Sequence, residues 1–363
     1  MPERLAKTDP FTQVTEMVGS GPYKFNANDR VVGSRLVYDR FTDYVPRSDG
    51  VPDWTAGPKV AYFDRIEWQV VPDAATAMAA LQKGEVDWWE NPTNDVVPRL
   101  RESKGVKVVV QDPTGQMGSL RLNRLSAPFN NPAIRRALLK AVDQRDFCMA
   151  CAGEDPSMWH VPTGTFYPAG PFASDAGLEV FTGKRDYDAV RKEILAAGYN
   201  GEKTVILAPT DVAIGKAQAE VCADLFWKVG LNVDYQTMDW GSVVQRRAKK
   251  DPIDKGGWSV FSTFWSGIDQ LTPVGHVYLR GMGEAPGSAP GWPSSPRIEA
   301  LRQQWLEAPD MATRKSLARD LQLQALIDVP YVPLGQMLQA TAHRNHLTGV
   351  LNGFPLFWNV RVT

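Results

Sequence analysis

Thr204-Val-Ile-Leu-Ala208, Asn232-Val-Asp-Tyr-Gln-Thr237 and Gly257-Trp-Ser-Val-Phe-Ser-Thr-Phe-Trp265 are short runs dominated by β-branched and aromatic residues, the composition of strands. Between them stand Ile214 to Val229 and Gly241 to Lys249, longer stretches whose apolar residues recur at helical spacing. Another helical stretch, Tyr187 to Ala197, precedes the first run. Strand and helix in alternation predict an α/β lobe with a substantially parallel sheet.

Working outward, helices are expected over Pro296 to Glu307 and Met311 to Ile327, the second stopped by Pro330. The Gly-, Pro- and Ser-rich stretch Gly281 to Pro296 reads as a long surface loop. Upstream, Ser119 to Asn123 is a short alternating strand followed by one long helix from Asn131 to about Ala150. The break at Asp112-Pro-Thr-Gly115 marks a lobe boundary. Before it the chain is mostly sheet. Strands are expected after the turn Gly19-Ser-Gly-Pro-Tyr-Lys-Phe25, over Val31 to Tyr38 and over Phe63 to Val71. Asp73 caps a helix over Ala74 to Lys83 that Gly84 ends, and Trp88-Trp89 opens the next strand. The tail Leu347 to Thr363 is strand-like and aromatic again.

At 363 residues the chain has room for two domains. Its 40 basic and 41 acidic residues leave a net charge of −1 without a basic stripe, which argues against nucleic acid as a partner. No apolar run reaches the roughly 20 residues of a membrane span. The first residues, MPERLAKTDPFTQVTEM, lack the apolar segment and cleavage site of a signal peptide. Cys148, Cys151 and Cys222 are too few for a disulfide framework. Cys148-Met-Ala-Cys151 sits at a helix end without a second CxxC, and His160, His276, His343 and His346 are scattered, so no metal site is expected. The usual nucleophile-elbow, phosphate-loop and zinc-protease patterns are absent. Asp234 and Asp239 precede Trp240, but at that spacing along one strand end they point to opposite faces and read as structural acids.

What remains is an aromatic rim. Ligands of open α/β sheets bind outside the carboxyl ends of the strands. Trp240 follows one strand, and Trp258, Phe261, Phe264 and Trp265 lie on or after the next, among Ser262, Thr263, Ser266, Asp269 and Gln270. Aromatic walls with a few polar groups suit a small organic solute, and core packing is the competing reading for each ring.

At these residues the chain resembles the dipeptide, oligopeptide and nickel-type solute-binding proteins of ABC importers, solute-binding family 5. Gly19 to Phe25 is similar to that family's GTGPYKF turn. Phe63-Asp-Arg-Ile-Glu67 through Pro72-Asp73 and Ala80-Leu-Gln-Lys-Gly-Glu-Val-Asp87, then Pro128 to Leu138 with Ala141-Val-Asp143, then Asn232 to Trp240, resemble its other blocks in the same order. The resemblance implies the two-lobe α/β architecture of type II periplasmic binding proteins, truncated at the N-terminus. Residues 1–115 and 342–363 would form part of a large lobe and 119–338 the second, with crossovers near 116–118 and 339–341. It implies a periplasmic monomer that captures a peptide-like or other small organic solute by lobe closure and delivers it to an ABC permease of the inner membrane, without catalysis, cofactor or metal. Trp240 matches a cavity tryptophan, and Gly257-Trp258 is aligned with the Gly-Trp pair beside the bound solute. Phe261 then stands where peptide binders carry an aspartate for the ligand's ammonium, and Asp269 is a candidate replacement. The expected ligand-binding set is Trp240, Trp258, Phe261, Thr263, Trp265 and Asp269, with Gln116 and Met117 at the crossover. A carbohydrate-active enzyme with a Trp-rich cleft and a non-functional fragment are the alternatives.

Overall fold

Cap residues and glycines set the element ends in the computed structural model, which describes residues 2–8, 14 and 16–363. The chain divides into two units, one of residues up to Pro113 with Gln339–Thr363, the other Thr114–Leu338. The first unit opens with a short helix α1 (Glu3–Ala6) and the antiparallel strands β1 (Tyr23–Phe25), β2 (Arg35–Arg40) and β3 (Arg65–Gln69), in that order across the sheet. β2 starts four residues later than the sequence suggests. Gly33, at a φ of 73°, turns the chain so that Val31 N–H bonds to Arg35 O before pairing begins. Helix α2 (Ala74–Lys83) has the expected ends: the Asp73 side chain accepts from Thr76 N and Gly84 closes it at a φ of 78°. β4 (Trp88–Trp89), α3 (Val97–Glu102) and β5 (Val106–Val110) follow.

The second unit begins with β6 (Gln116–Leu122), α4 (Pro132–Leu139), α5 (Gln144–Ala152) and β7 (Trp159–His160). The single helix expected over 131–150 is two helices. Asn131 caps the first and the Asp143 side chain, accepting from Arg145 N, caps the second. Then come α6 (Tyr187–Ala196), β8 (Lys203–Pro209), α7 (Ala213–Lys228), β9 (Asn232–Met238), α8 (Trp240–Arg247), β10 (Val260–Ser266), α9 (Pro296–Glu307), α10 (Met311–Asp328) and β11 (Val332–Met337). The chain returns to the first unit through β12 (Ala340–Arg344), inserted between β4 and β5, and ends in the two-residue partners β13 (Leu347–Thr348) and β14 (Arg361–Val362).

The second unit's sheet runs β7-β11-β6-β10-β8-β9. It is mixed, contrary to the expectation of a substantially parallel sheet. β8 is parallel to β9 and β10, whereas β6 is antiparallel to both β10 and β11. Alternation along β10 separates two cores. Val260 joins Leu120, Leu122, Ile206 and Ala208 in the main core with residues of α4, α5 and α7, and Phe261 joins Val205, Leu207 and Val243 of α8 on the other face. Among the described residues no helix is long and apolar enough to cross a membrane.

Candidate functional site

Because β8, β9 and β10 are parallel, their carboxyl ends at Pro209, Met238 and Ser266 fall on one edge, the edge where open sheets bind ligands. Trp240 starts α8 on that edge. The helix entrance is tied down by two carboxylates: Asp239 accepts from Ser242 N, and Asp211 accepts from Trp240 N at 2.8 Å. The Trp240 ring stays half-buried. At the end of β10 the half-buried Trp265 meets Tyr278 edge-on, with ring centroids 5.7 Å apart. Its indole Nε1 is buried without an acceptor among the described residues, and so is the amide Nε2 of Gln270. Asp269, in the turn after β10, is half-buried with no ion-pair partner among the described residues. Burial pushes its carboxyl up, opposed in part by a hydrogen bond from the Ser266 backbone.

The register of β6 against β10 places Gln116 opposite Ser266, Met117 opposite Trp265 and Ser119 opposite Thr263. Met117 at 2% exposure and Thr263 at 5% therefore form the sheet beneath Trp265, and Gln116 is half-buried at the edge. Trp240, Trp265, Asp269 and Gln116 are thus brought to the rim with surface to offer.

Trp258 and Phe261 are not. Both are wholly buried. β10 begins at Val260, not Gly257, so Trp258 stands before its amino end rather than at the ligand-binding end. Gly257 is required there for a different reason: a Cβ would lie 2.1 Å from the Asp251 carbonyl. The Trp258 indole donates to Lys249 O at 3.1 Å, and its ring packs between Phe261 at 5.2 Å and Trp292 at 5.8 Å. Phe261 is separated from Ser266 by five residues, about 16 Å of strand. Phe261, expected to stand where an ammonium is bound, is a core ring of the second unit instead. Gly281 to Pro296 is a surface loop only in part: Glu284 to Gly287 are exposed, whereas Ala289, Gly291, Trp292 and Pro293 are buried.

Sequence reasoning missed Arg247. Its guanidinium lies over the Trp240 ring and over the Phe261 ring, 5.3 Å from each centroid, and no hydrogen bond or ion pair engages it among the described residues. Neighbouring Arg246, by contrast, is spent on Gln236 and the Gly256 and Gly257 carbonyls. Two turns of α8 put residues 240 and 247 on one face, the signal that was available. The other sequence candidates are occupied elsewhere. Asp234 pairs with Lys203 at 3.5 Å and Asp239 caps α8, so neither is free to form a catalytic pair. Burial pushes the thiols of Cys148, Cys151 and Cys222 up, Cys151 to about 12, which leaves them protonated and inert. A hollow of roughly 400 Å³ in the first unit, beside Val31, Arg35 and Gln69, gathers no aromatic ring.

Trp240→Ala and Trp265→Ala are expected to weaken solute binding about 10-fold each while the far-ultraviolet dichroism and the melting transition stay near wild type, because both residues keep exposed surface at the edge of their clusters. Unfolding of both variants would instead make them core residues.

Residues 2–279 match the family described as bacterial extracellular solute-binding proteins, family 5 middle. A Sinorhizobium fredii protein named as a probable peptide ABC transporter periplasmic-binding protein is 37% identical over 364 residues, covering 99% of this chain and 68% of the relative. The glutathione-binding protein GsiB of Pectobacterium atrosepticum is 25% identical over 353 residues, 92% of this chain and 61% of that one. The oligopeptide-binding protein AppA of Bacillus subtilis, solved with a nonapeptide, shares the fold with a TM-score of 0.73 at 16% identity, across 94% of this chain and 66% of its own. The chain thus spans about two thirds of the length of these relatives. With a family match over most of its residues and a relative at 37% identity along nearly all of it, this chain belongs to the family 5 bacterial extracellular solute-binding proteins.

Proposed function

We propose that the protein is the periplasmic, monomeric capture subunit of an ABC importer, its two units serving as the two lobes, and that it binds a peptide-like solute without catalysis before passing it to an inner-membrane permease. One observation carries the choice of solute. Two opposite charges stand beside the aromatic residues, Asp269 after Trp265 and Arg247 against Trp240, and among the described residues neither has an ion-pair partner. Half-buried charges left unpaired are expensive, and a zwitterion satisfies both. We assign the ammonium of the solute to Asp269 and its carboxylate to Arg247. Arg247 lies against Phe261, about 16 Å of strand from Ser266, so an extended peptide of roughly four to six residues spans the two charges.

Pentaalanine, its N-acetyl form and its C-terminal amide, titrated against tryptophan fluorescence, test this. Pentaalanine should bind tightest, with either blocked form about 10- to 100-fold weaker. Arg247→Gln should lower affinity for pentaalanine by a similar factor and leave the amide unchanged. Equal affinity for all three peptides would remove the assignment. Mass spectrometry of the incubated peptide should return it intact, and cleavage would remove the non-catalytic reading.

A further inference from the structure

The Arg121 guanidinium is fully buried and, among the described residues, faces no carboxylate. It is caged by main-chain carbonyls instead. Nε donates to Pro290 O at 2.5 Å, Nη1 to Tyr278 O at 3.1 Å and Pro330 O at 2.8 Å, and Nη2 to Ala289 O at 3.4 Å, while the group rests 4.5 Å over the Tyr278 ring. Burial brings its pKa down to about 10, so it remains charged at neutral pH. These four bonds exceed the three donors of a lysine ammonium and fall within the five of a guanidinium fork.

Two of those carbonyls belong to a turn whose backbone is strained. Gly291 has a φ of 102°, and Trp292 a φ of 45°, a region that bulky side chains rarely adopt and that the surroundings must enforce. A Cβ on Gly291 would lie 2.8 Å from Leu122 O and 2.9 Å from Arg121 Nε, so the turn sits directly on β6 and on the guanidinium. The strained residue is the one that closes the aromatic stack: Trp292 packs on Trp258, Trp258 on Phe261, and Arg247 lies over Phe261.

We infer that Arg121 is a positioning residue for the solute site: by gathering the carbonyls of Ala289 and Pro290 it holds the Gly291–Trp292 turn on β6, and so sets the Trp292–Trp258–Phe261 stack that aims Arg247. The last step rests on the reading of Arg247 as the carboxylate-binding group. The clamp itself does not.

The test uses the full chain with Arg121→Met and Arg121→Lys, and with Gly291→Ala, which strains the turn directly and leaves the guanidinium in place. Amide hydrogen exchange reports on the turn through Trp292 N–H, bonded to Ala289 O, and Arg124 N–H, bonded to Gly291 O. Near-ultraviolet dichroism reports on the coupling of the Trp258 and Trp292 rings. All three variants are expected to exchange these amides about 10-fold faster and to lose the couplet with the far-ultraviolet spectrum unchanged. Pentaalanine should bind them about 10-fold more weakly, its amide as before. Wild-type exchange and an intact couplet in the variants would overturn the clamp. Faster exchange with unaltered pentaalanine affinity would overturn the positioning role and leave Arg121 a structural brace. Wild-type protein indifferent to pentaalanine would refute the solute reading, and the exchange and couplet would still decide the clamp by themselves.

Discussion

Asp269→Asn lowers affinity for pentaalanine by about 100-fold or more and leaves N-acetyl-pentaalanine unaffected, because removing one partner of a desolvated charge pair costs about 2–5 kcal/mol. The carboxyl is half-buried and raised above the ordinary aspartate range by that burial. Its charged form is the one that binds an ammonium, so wild-type affinity falls as the pH drops through the raised value, and the variant's residual affinity does not follow it. Stability moves the other way. A carboxyl whose folded pKa is raised favours the folded state when protonated. That contribution is fully present below the unfolded value of about 3.9 and is lost as the pH rises through the folded one. Asparagine is neutral throughout, so the unliganded variant should melt above wild type at neutral pH and level with it in acid. Titration calorimetry and thermal melts at several pH values read both effects. Undiminished binding by Asp269→Asn would end the assignment of Asp269 to the ammonium.

How far these features are legible in the sequence depends on whether their cause is local. Helix α2 is read to the residue because both its ends are chemical, the Asp73 carboxylate at one and the left-handed Gly84 at the other. The α/β alternation from β8 to β10 is legible for the same kind of reason. The split between α4 and α5 escapes because Asp143 lies inside a continuous helical pattern, and only its side chain's bond to Arg145 N shows it to be a cap. β11 escapes because Pro333 and Gly335 interrupt a short run, the glycine at a φ of 98° where the register shifts against β6. Strand direction is settled by partners far along the chain, which is why the sheet was expected to be more parallel than it is. At the site, Trp240 and Trp265 are readable as strand-end residues. Trp258 and Phe261 mislead because starting the strand three residues early turns two core rings into wall residues. Arg247 and Asp269 are related only through space.

Trp258→Ala destabilises the second unit by about 3–5 kcal/mol, a large share of the 5–15 kcal/mol typical of a domain. The indole has no exposed surface, packs on Phe261 and Trp292, touches the cluster of Val205, Leu207 and Val243, and uses its Nε1 on Lys249 O. Alanine removes all of these contacts and leaves a cavity in a wall made of two strands and α8, where strand pairing limits collapse. The loss should appear as a lower urea midpoint with little change in slope. Trp292, held in a strained backbone partly by this stack, loses the surface that makes its conformation tolerable, and the base on which Arg247 rests loosens with it. Stability and carboxylate recognition should therefore fall together in Trp258→Ala, whereas Arg247→Gln removes recognition alone. A Trp258→Ala protein with the wild-type midpoint would show that the stack is not core. It would also restore Trp258 as a residue a solute could touch.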